Sequence, residues 1–275
     1  MKVIKGKLAG FCPGVKRAWE VVEKTAGEGP VFVLGDLIHN RQAIERLKAL
    51  GVVTIYDLEK ISPDCQVIIR AHGEPEKTYE ELERLGAKII DATCFRVRKI
   101  QQQAAELERN GYQVIVCGEK EHPEIKATLG HTKKGKVIES ALEAEKLKIQ
   151  GKVALISQTT FSSEEFKKIR EVLRKKKGIT LKVLGTICDF TQAAQKEARE
   201  LGKKVDCLIV VGGRHSSNTK RLKEVGEKIR STYHIETADE LKPGWFKDKK
   251  IVGLLAGAST PSWIISQVER KLKEL

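Results

Sequence analysis

Three times along this chain a short apolar run ends in a cysteine, and a helically spaced stretch follows. The first copy is Gly10-Phe11-Cys12-Pro13-Gly14-Val15, the second Asp91-Ala92-Thr93-Cys94 and the third Gly185-Thr186-Ile187-Cys188. Each cysteine therefore stands on a loop between a strand and a helix, and the three are spread almost evenly along the sequence. Between them the pattern continues. Apolar runs such as Val31-Phe32-Val33-Leu34, Gln66-Val67-Ile68-Ile69, Val114-Ile115-Val116 and Leu208-Ile209-Val210-Val211 alternate with charged amphipathic stretches. Strands that are apolar throughout belong to parallel sheets covered on both faces. The expected fold is α/β, built from three similar units, each with a small, mostly parallel sheet. The units read as residues 12–93, 94–187, and 188–275 joined by 1–11. The strand Lys2-Val3-Ile4 supplies the edge that the third unit otherwise lacks.

The spacing predicts helices at about 15–26, 41–50, 76–85, 97–110, 163–176, 191–201 and 262–272. At the strand ends the three units match. His39, His122 and Ser216 follow their cysteines at almost the same offset, and His72, Thr159 and Ser259 fall on the next loops. In parallel sheets, ligand groups gather beyond the strand C-termini, so nine such loops would face one centre if the units pack around a pseudo-threefold axis.

The chemistry follows from the residue types. Three thiolates from three units suit an iron–sulfur cluster with one iron open to a ligand. Zinc with three cysteines and an open position is the alternative, but no C-x-x-C pair occurs, and zinc sites favour close pairs. Cys65, Cys117 and Cys207 sit in or beside apolar strands and read as core residues. His39, His72 and His122, with Ser216, Ser217, Asn218 and Ser259, are donors beside small residues, and loops that open helices suit phosphate groups. Glu124, two residues after His122, is a proton carrier if a low-dielectric pocket raises its pKa.

Charge admits an anionic partner: 51 Lys and Arg face 37 Asp and Glu, for a net charge of +14. Runs such as Arg174-Lys175-Lys176-Lys177 lack the interleaved aromatics of a nucleic-acid platform, and aromatics are only 5% of the chain. Nucleic acid is not an expected partner, and neither is a membrane. No apolar run approaches the ~20 residues that span a bilayer. The chain reads as cytoplasmic, where cysteines serve as ligands or core residues rather than disulfides.

The loops resemble those of the 4-hydroxy-3-methylbut-2-enyl diphosphate reductase family. The matching pieces are Gly10-Phe11-Cys12, His39-Asn40, Ala71-His72-Gly73, Asp91-Ala92-Thr93-Cys94, His122-Pro123-Glu124, Gln158-Thr159-Thr160, Ile187-Cys188, Ser216-Ser217-Asn218 and Ala256-Gly257-Ala258-Ser259. They run the length of the chain in order. The resemblance implies three α/β units around a central 4Fe-4S cluster, which oxidation converts to a 3Fe-4S form. It implies Cys12, Cys94 and Cys188 as ligands, with the substrate hydroxyl on the open iron. By the same resemblance His39, His72, His122, Ser216, Asn218 and Ser259, with Ser217 nearby, hold the diphosphate, and Thr159 and Glu124 stand by the hydroxyl. His122, Thr159 and Glu124 form the catalytic group, with Glu124 central to proton delivery. A ferredoxin or flavodoxin would be the electron donor. The sequence departs from the family pattern at Phe95 (usually proline), Ala194 (arginine), Glu121 (glycine) and His215 (asparagine). These positions leave open a cluster-bearing paralogue acting on another anionic hydroxylated substrate, and the basic charge with a cluster that oxygen could destroy leaves open a redox-sensing nucleic-acid-binding protein.

Overall fold

A computed structural model describes residues 1–27 and 30–275. In chain order the elements are β1 (Lys2–Lys5), α1 (Pro13–Thr25), β2 (Val31–Leu34), α2 (Arg41–Ala49), β3 (Val52–Ile55), β4 (Gln66–Ile69), α3 (Glu76–Arg84) and β5 (Lys88–Asp91). Then come α4 (Phe95–Arg109), β6 (Gln113–Cys117), α5 (Pro123–Leu129), β7 (Lys136–Ile138), α6 (Ala141–Lys146), β8 (Gly151–Ser157), α7 (Ser163–Lys175) and β9 (Ile179–Val183). The chain ends with α8 (Asp189–Gly202), β10 (Cys207–Val211), α9 (Ser217–Glu227), β11 (Thr232–Ile235), β12 (Ile251–Ala256) and α10 (Ser262–Glu274).

The strands form three four-stranded sheets, in the orders β3-β2-β4-β5, β7-β6-β8-β9 and β11-β10-β12-β1. Every pairing is parallel. The orders are equivalent, so the expected class, three similar α/β units each with a small parallel sheet, is the class observed. β1 pairs with β12 as the sequence suggested, Val3 opposite Val252. In each sheet the cysteine follows one edge strand (β1, β5 or β9), and the two polar loops follow the two central strands.

The continuous apolar runs are explained by helices on both faces. In the second sheet, Ile115, Cys117, Val153 and Leu155 pack on Phe166, Ile169 and Leu173 of α7. Their alternates Val114, Val116, Ala154 and Ile156 pack on Ile100, Ala104 and Leu107 of α4. In the third sheet, Ile209 and Val211 meet Ile264, Ile265 and Val268 of α10, while Leu208 and Val210 meet Ala194, Ala198 and Leu201 of α8. Each large aliphatic side chain buried this way contributes about 1.5–3 kcal/mol. Cys117 and Cys207 are fully buried strand residues, as their apolar surroundings indicated.

Three helices start earlier than their apolar spacing predicts. α1 begins at Pro13 rather than Val15, α4 at Phe95 rather than Val97, and α8 at Asp189 rather than Thr191, each directly after its cysteine. Cys94 stands at the N-cap of α4 without a side-chain capping bond, so this helix start carries none of the hydroxyl, amide or carboxylate signals by which a sequence usually marks one.

The chain forms two compact bodies. Residues 1–16, 38–46 and 189–275 make one, which holds the sheet β11-β10-β12-β1. Residues 17–37 and 47–188 make the other, which holds the other two sheets. No helix of the described residues is long and apolar enough to cross a membrane.

Candidate functional site

The residues singled out in the sequence divide between the bodies. Cys12, His39, Ser216, Ser217, Asn218 and Ser259 belong to the first, and His72, Cys94, His122, Glu124, Thr159 and Cys188 to the second.

One backbone bond recurs at all three cysteines. The N–H of Cys12 donates to Ala258 O, that of Cys94 to Ala71 O and that of Cys188 to Thr159 O, each at 3.0 Å. Every cysteine loop is thus tied to the loop that follows the neighbouring strand, at or next to Ser259, His72 and Thr159. The three thiols are half-buried and free of disulfides. The Val15 N–H reaches Cys12 Sγ at 3.4 Å, as those of Arg96 and Val97 reach Cys94. Burial pushes the Cys94 thiol up, against those two N–H groups, and the charges of Glu124 and Cys188 push it further.

In the second body Glu124 lies in the first turn of α5 and is only 2% exposed. Both carboxyl oxygens are taken by one residue: the Thr159 N–H donates to Oε1 and its hydroxyl to Oε2, each at 2.6 Å. Burial raises the Glu124 pKa to about 7 despite these bonds. His122 caps the same helix, its Nδ1 accepting the Glu124 N–H at 3.1 Å. That bond places the proton of the neutral ring on Nε2. The His72 and His122 rings meet edge to face, centroids 5.2 Å apart. Gln158 braces the loop from below, accepting the Glu119 N–H at 3.0 Å and donating to Thr160 Oγ1 at 2.8 Å.

In the first body Ser216 caps α9, and the Ser259 hydroxyl donates to Ser216 Oγ at 3.5 Å and to His39 O at 3.3 Å. Gly213 packs against the His39 carbonyl so closely that a Cβ would collide with it. Asn218, in the first turn of α9, is 3% exposed, yet neither its Oδ1 nor its Nδ2 has a partner. An unsatisfied buried amide is costly, so this side chain is a candidate ligand contact. Together with the helix N-terminus it suits an anion that both accepts and donates hydrogen bonds.

Three of the four departures adjoin these groups in the chain, Phe95 after Cys94, Glu121 before His122 and His215 before Ser216, with their side chains exposed. Phe95 is 61% exposed. The Glu121 side chain is solvent-facing and pairs with Lys126 at 2.7 Å. His215 is exposed and Ala194 lies in the apolar cluster under α8.

Sequence reasoning missed Arg70, Glu74 and Gln101, which surround His72. Gln101 was legible in principle. Val97, Ile100, Ala104 and Leu107 set the buried face of α4, and Gln101 falls on that face. A polar residue at a core position signals a specific partner.

The fold and site together define an α/β protein of three parallel sheets with thiols outside disulfides at strand ends, a buried proton-holding carboxyl and a buried amide at a helix N-terminus. The chain belongs to the LytB protein family, which it matches over residues 3–273. It is 41% identical to the 4-hydroxy-3-methylbut-2-enyl diphosphate reductase of Geotalea daltonii, covering 100% of this chain and 98% of that one. The enzyme of the same name from Aquifex aeolicus is also 41% identical, over 99% of this chain and 96% of the relative. A solved structure of (E)-4-hydroxy-3-methyl-but-2-enyl diphosphate reductase, described as the terminal enzyme of the non-mevalonate pathway, matches all of both chains with a TM-score of 0.72 at 41% identity. That of the Plasmodium falciparum reductase matches with a TM-score of 0.94 at 27% identity, over 99% of this chain and 88% of the other.

Proposed function

We propose that the chain reduces 4-hydroxy-3-methylbut-2-enyl diphosphate, removing its hydroxyl as water with two electrons and two protons, to give isopentenyl and dimethylallyl diphosphate. This is the last step of the non-mevalonate route to isoprenoids. The observation that carries the reading is the Glu124–Thr159 pair: a fully buried carboxyl that keeps a proton near pH 7, held in one orientation by two short bonds. Hydroxide leaves poorly, so a positioned proton donor in a water-poor pocket is what this reaction needs.

In this reading the units 12–93, 94–187 and 188–275 with 1–11 surround a cluster with pseudo-threefold symmetry, and Cys12, Cys94 and Cys188 would hold it as 4Fe-4S. The thiols, none of them in a disulfide, and the backbone N–H groups near Cys12 and Cys94 fit such a group. When bound, the cluster supplies electrons and an open iron, a Lewis acid for the substrate oxygen. The protein does the rest. Thr159 fixes the carboxyl of Glu124, which delivers a proton at the hydroxyl. His39, His72 and His122 offer ring N–H donors to the diphosphate, with Ser216, Ser217, Asn218 and Ser259 bonding its oxygens. The paired Nδ1 of His122 leaves Nε2–H to donate. A ferredoxin or flavodoxin would deliver electrons one at a time, in the cytoplasm, where free cysteines persist.

The departures at Phe95, Glu121 and His215 are exposed and that at Ala194 is in the core, so none offers support for a changed substrate. Anaerobic spectroscopy of reconstituted protein tests the reading. The diphosphate substrate should perturb the cluster spectrum. An intact cluster whose spectrum ignores saturating substrate would refute it.

A further inference from the structure

The loop carrying His72 is fixed by a dense set of bonds. It leaves β4 at Arg70, and α3 begins at Glu76. The Arg70 Nε donates to Glu74 Oε1 at 2.8 Å across the loop, and the two side chains are 17% and 11% exposed. Four of the five carbonyls in this stretch are bonded. Arg70 O accepts the Gly73 N–H at 3.0 Å, and Ala71 O accepts that of Cys94 at 3.0 Å. His72 O accepts Gln101 Nε2 at 3.3 Å. Glu74 O meets His131 Nε2 at 3.1 Å.

Two glycines make room for the clamp. Gly73 adopts φ +71°, and a Cβ there would collide with the Gln101 amide. Gly35 adopts φ +70°, and a Cβ there would collide with the Arg70 guanidinium. Gln101 is 3% exposed, so its amide is committed to this loop rather than to water. A buried ion pair of this kind is poor value for stability alone. Well-packed apolar residues of the same volume usually do as well, and breaking one partner strands a charge. What the pair and the amide provide is a single backbone conformation at His72.

We propose that Gln101 and the Arg70–Glu74 pair are positioning residues for His72. They hold its imidazole at the diphosphate so that binding does not have to order the loop. This rests on the reading that His72 meets the diphosphate. Gln101 lies on the helix that Cys94 caps, so the α4 backbone spans from a thiol of the site to the anion-binding loop.

The test is a double-mutant cycle with inorganic pyrophosphate as probe, on cluster-loaded protein under anaerobic conditions, read by calorimetry. Gln101→Leu keeps the volume and removes the donor. Its Kd for pyrophosphate should rise about tenfold, the effect of loosening one bond to a charged group, with the melting temperature changed little. His72→Asn should also raise Kd. Adding Gln101→Leu to His72→Asn should cost less than twofold more, because Gln101 acts through His72. In turnover, Gln101→Leu should raise KM with little change in kcat, and Glu74→Gln should do the same more weakly than Glu74→Ala. A Gln101→Leu Kd within twofold of wild type overturns the proposal, as does full additivity in the double variant. Should Gln101→Leu fail to fold, Gln101→Asn, one methylene short of the His72 carbonyl, takes its place in the cycle with the same expected outcomes. A His72→Asn variant that binds pyrophosphate normally would instead overturn the role of His72 itself, and the clamp with it.

Discussion

Replacing Glu124 with glutamine keeps the shape of the side chain and removes its titration. In the folded protein burial raises this carboxyl from the ordinary value of 4.5 to about 7. Each unit corresponds to 1.36 kcal/mol, so ionising Glu124 in place costs about 3 kcal/mol. The sign follows from which form the fold prefers. Because the folded pKa is the higher one, the stability contributed by protonated Glu124 is fully present below about 4.5. It falls as pH rises and is lost once pH passes about 7. Glutamine stays neutral throughout. In denaturant titrations of the apoprotein, Glu124→Gln and wild type should therefore be closest in acid. The variant should gain on wild type up to about pH 7, by as much as about 3 kcal/mol, and the difference should then level off. The same carboxyl, acting as proton donor, predicts a wild-type kcat/KM that falls about tenfold per pH unit above 7. Glu124→Gln should bind pyrophosphate and keep its cluster but lose most turnover. Parallel pH–stability curves for the two proteins, or unimpaired turnover in the variant, would refute the argument.

Other predictions follow from the same geometry. Thr159→Val removes the hydroxyl bond that holds the Glu124 pKa down, so the alkaline limb of the kcat/KM–pH profile should move to higher pH while kcat falls from lost orientation. Cys94→Ala should assemble little stable cluster by iron analysis, whereas Cys117→Ala, in the sheet core, should bind iron normally and lose on the order of 1 kcal/mol of stability. Asn218→Leu removes two buried atoms that lack partners; it should raise the melting temperature of the apoprotein and weaken pyrophosphate binding at least about tenfold.

Much of the fold was legible because burial on both faces leaves a plain mark. Runs such as Leu208–Val211 have no polar side to disguise them. The equivalent loops could be aligned because each unit repeats one strand order. The helix starts at Pro13, Phe95 and Asp189 were less legible, since each directly follows a cysteine rather than one of the hydroxyl, amide or carboxylate residues that usually mark a helix start. The Glu124–Thr159 pair joins residues 35 apart in sequence, and only the parallel pairing of β6 with β8 brings their loops together. Spacing alone could mark each residue but not their contact. Gln101 was hidden differently. It opens the run Gln101-Gln102-Gln103, which reads as a solvated face until the apolar periodicity of α4 is counted.

The most direct test of the account is turnover of 4-hydroxy-3-methylbut-2-enyl diphosphate by anaerobically purified protein carrying its cluster, with reduced methyl viologen as electron source. The account predicts that oxidation of the viologen is matched by formation of isopentenyl and dimethylallyl diphosphate. A protein with an intact cluster that consumes no substrate under these conditions would contradict it.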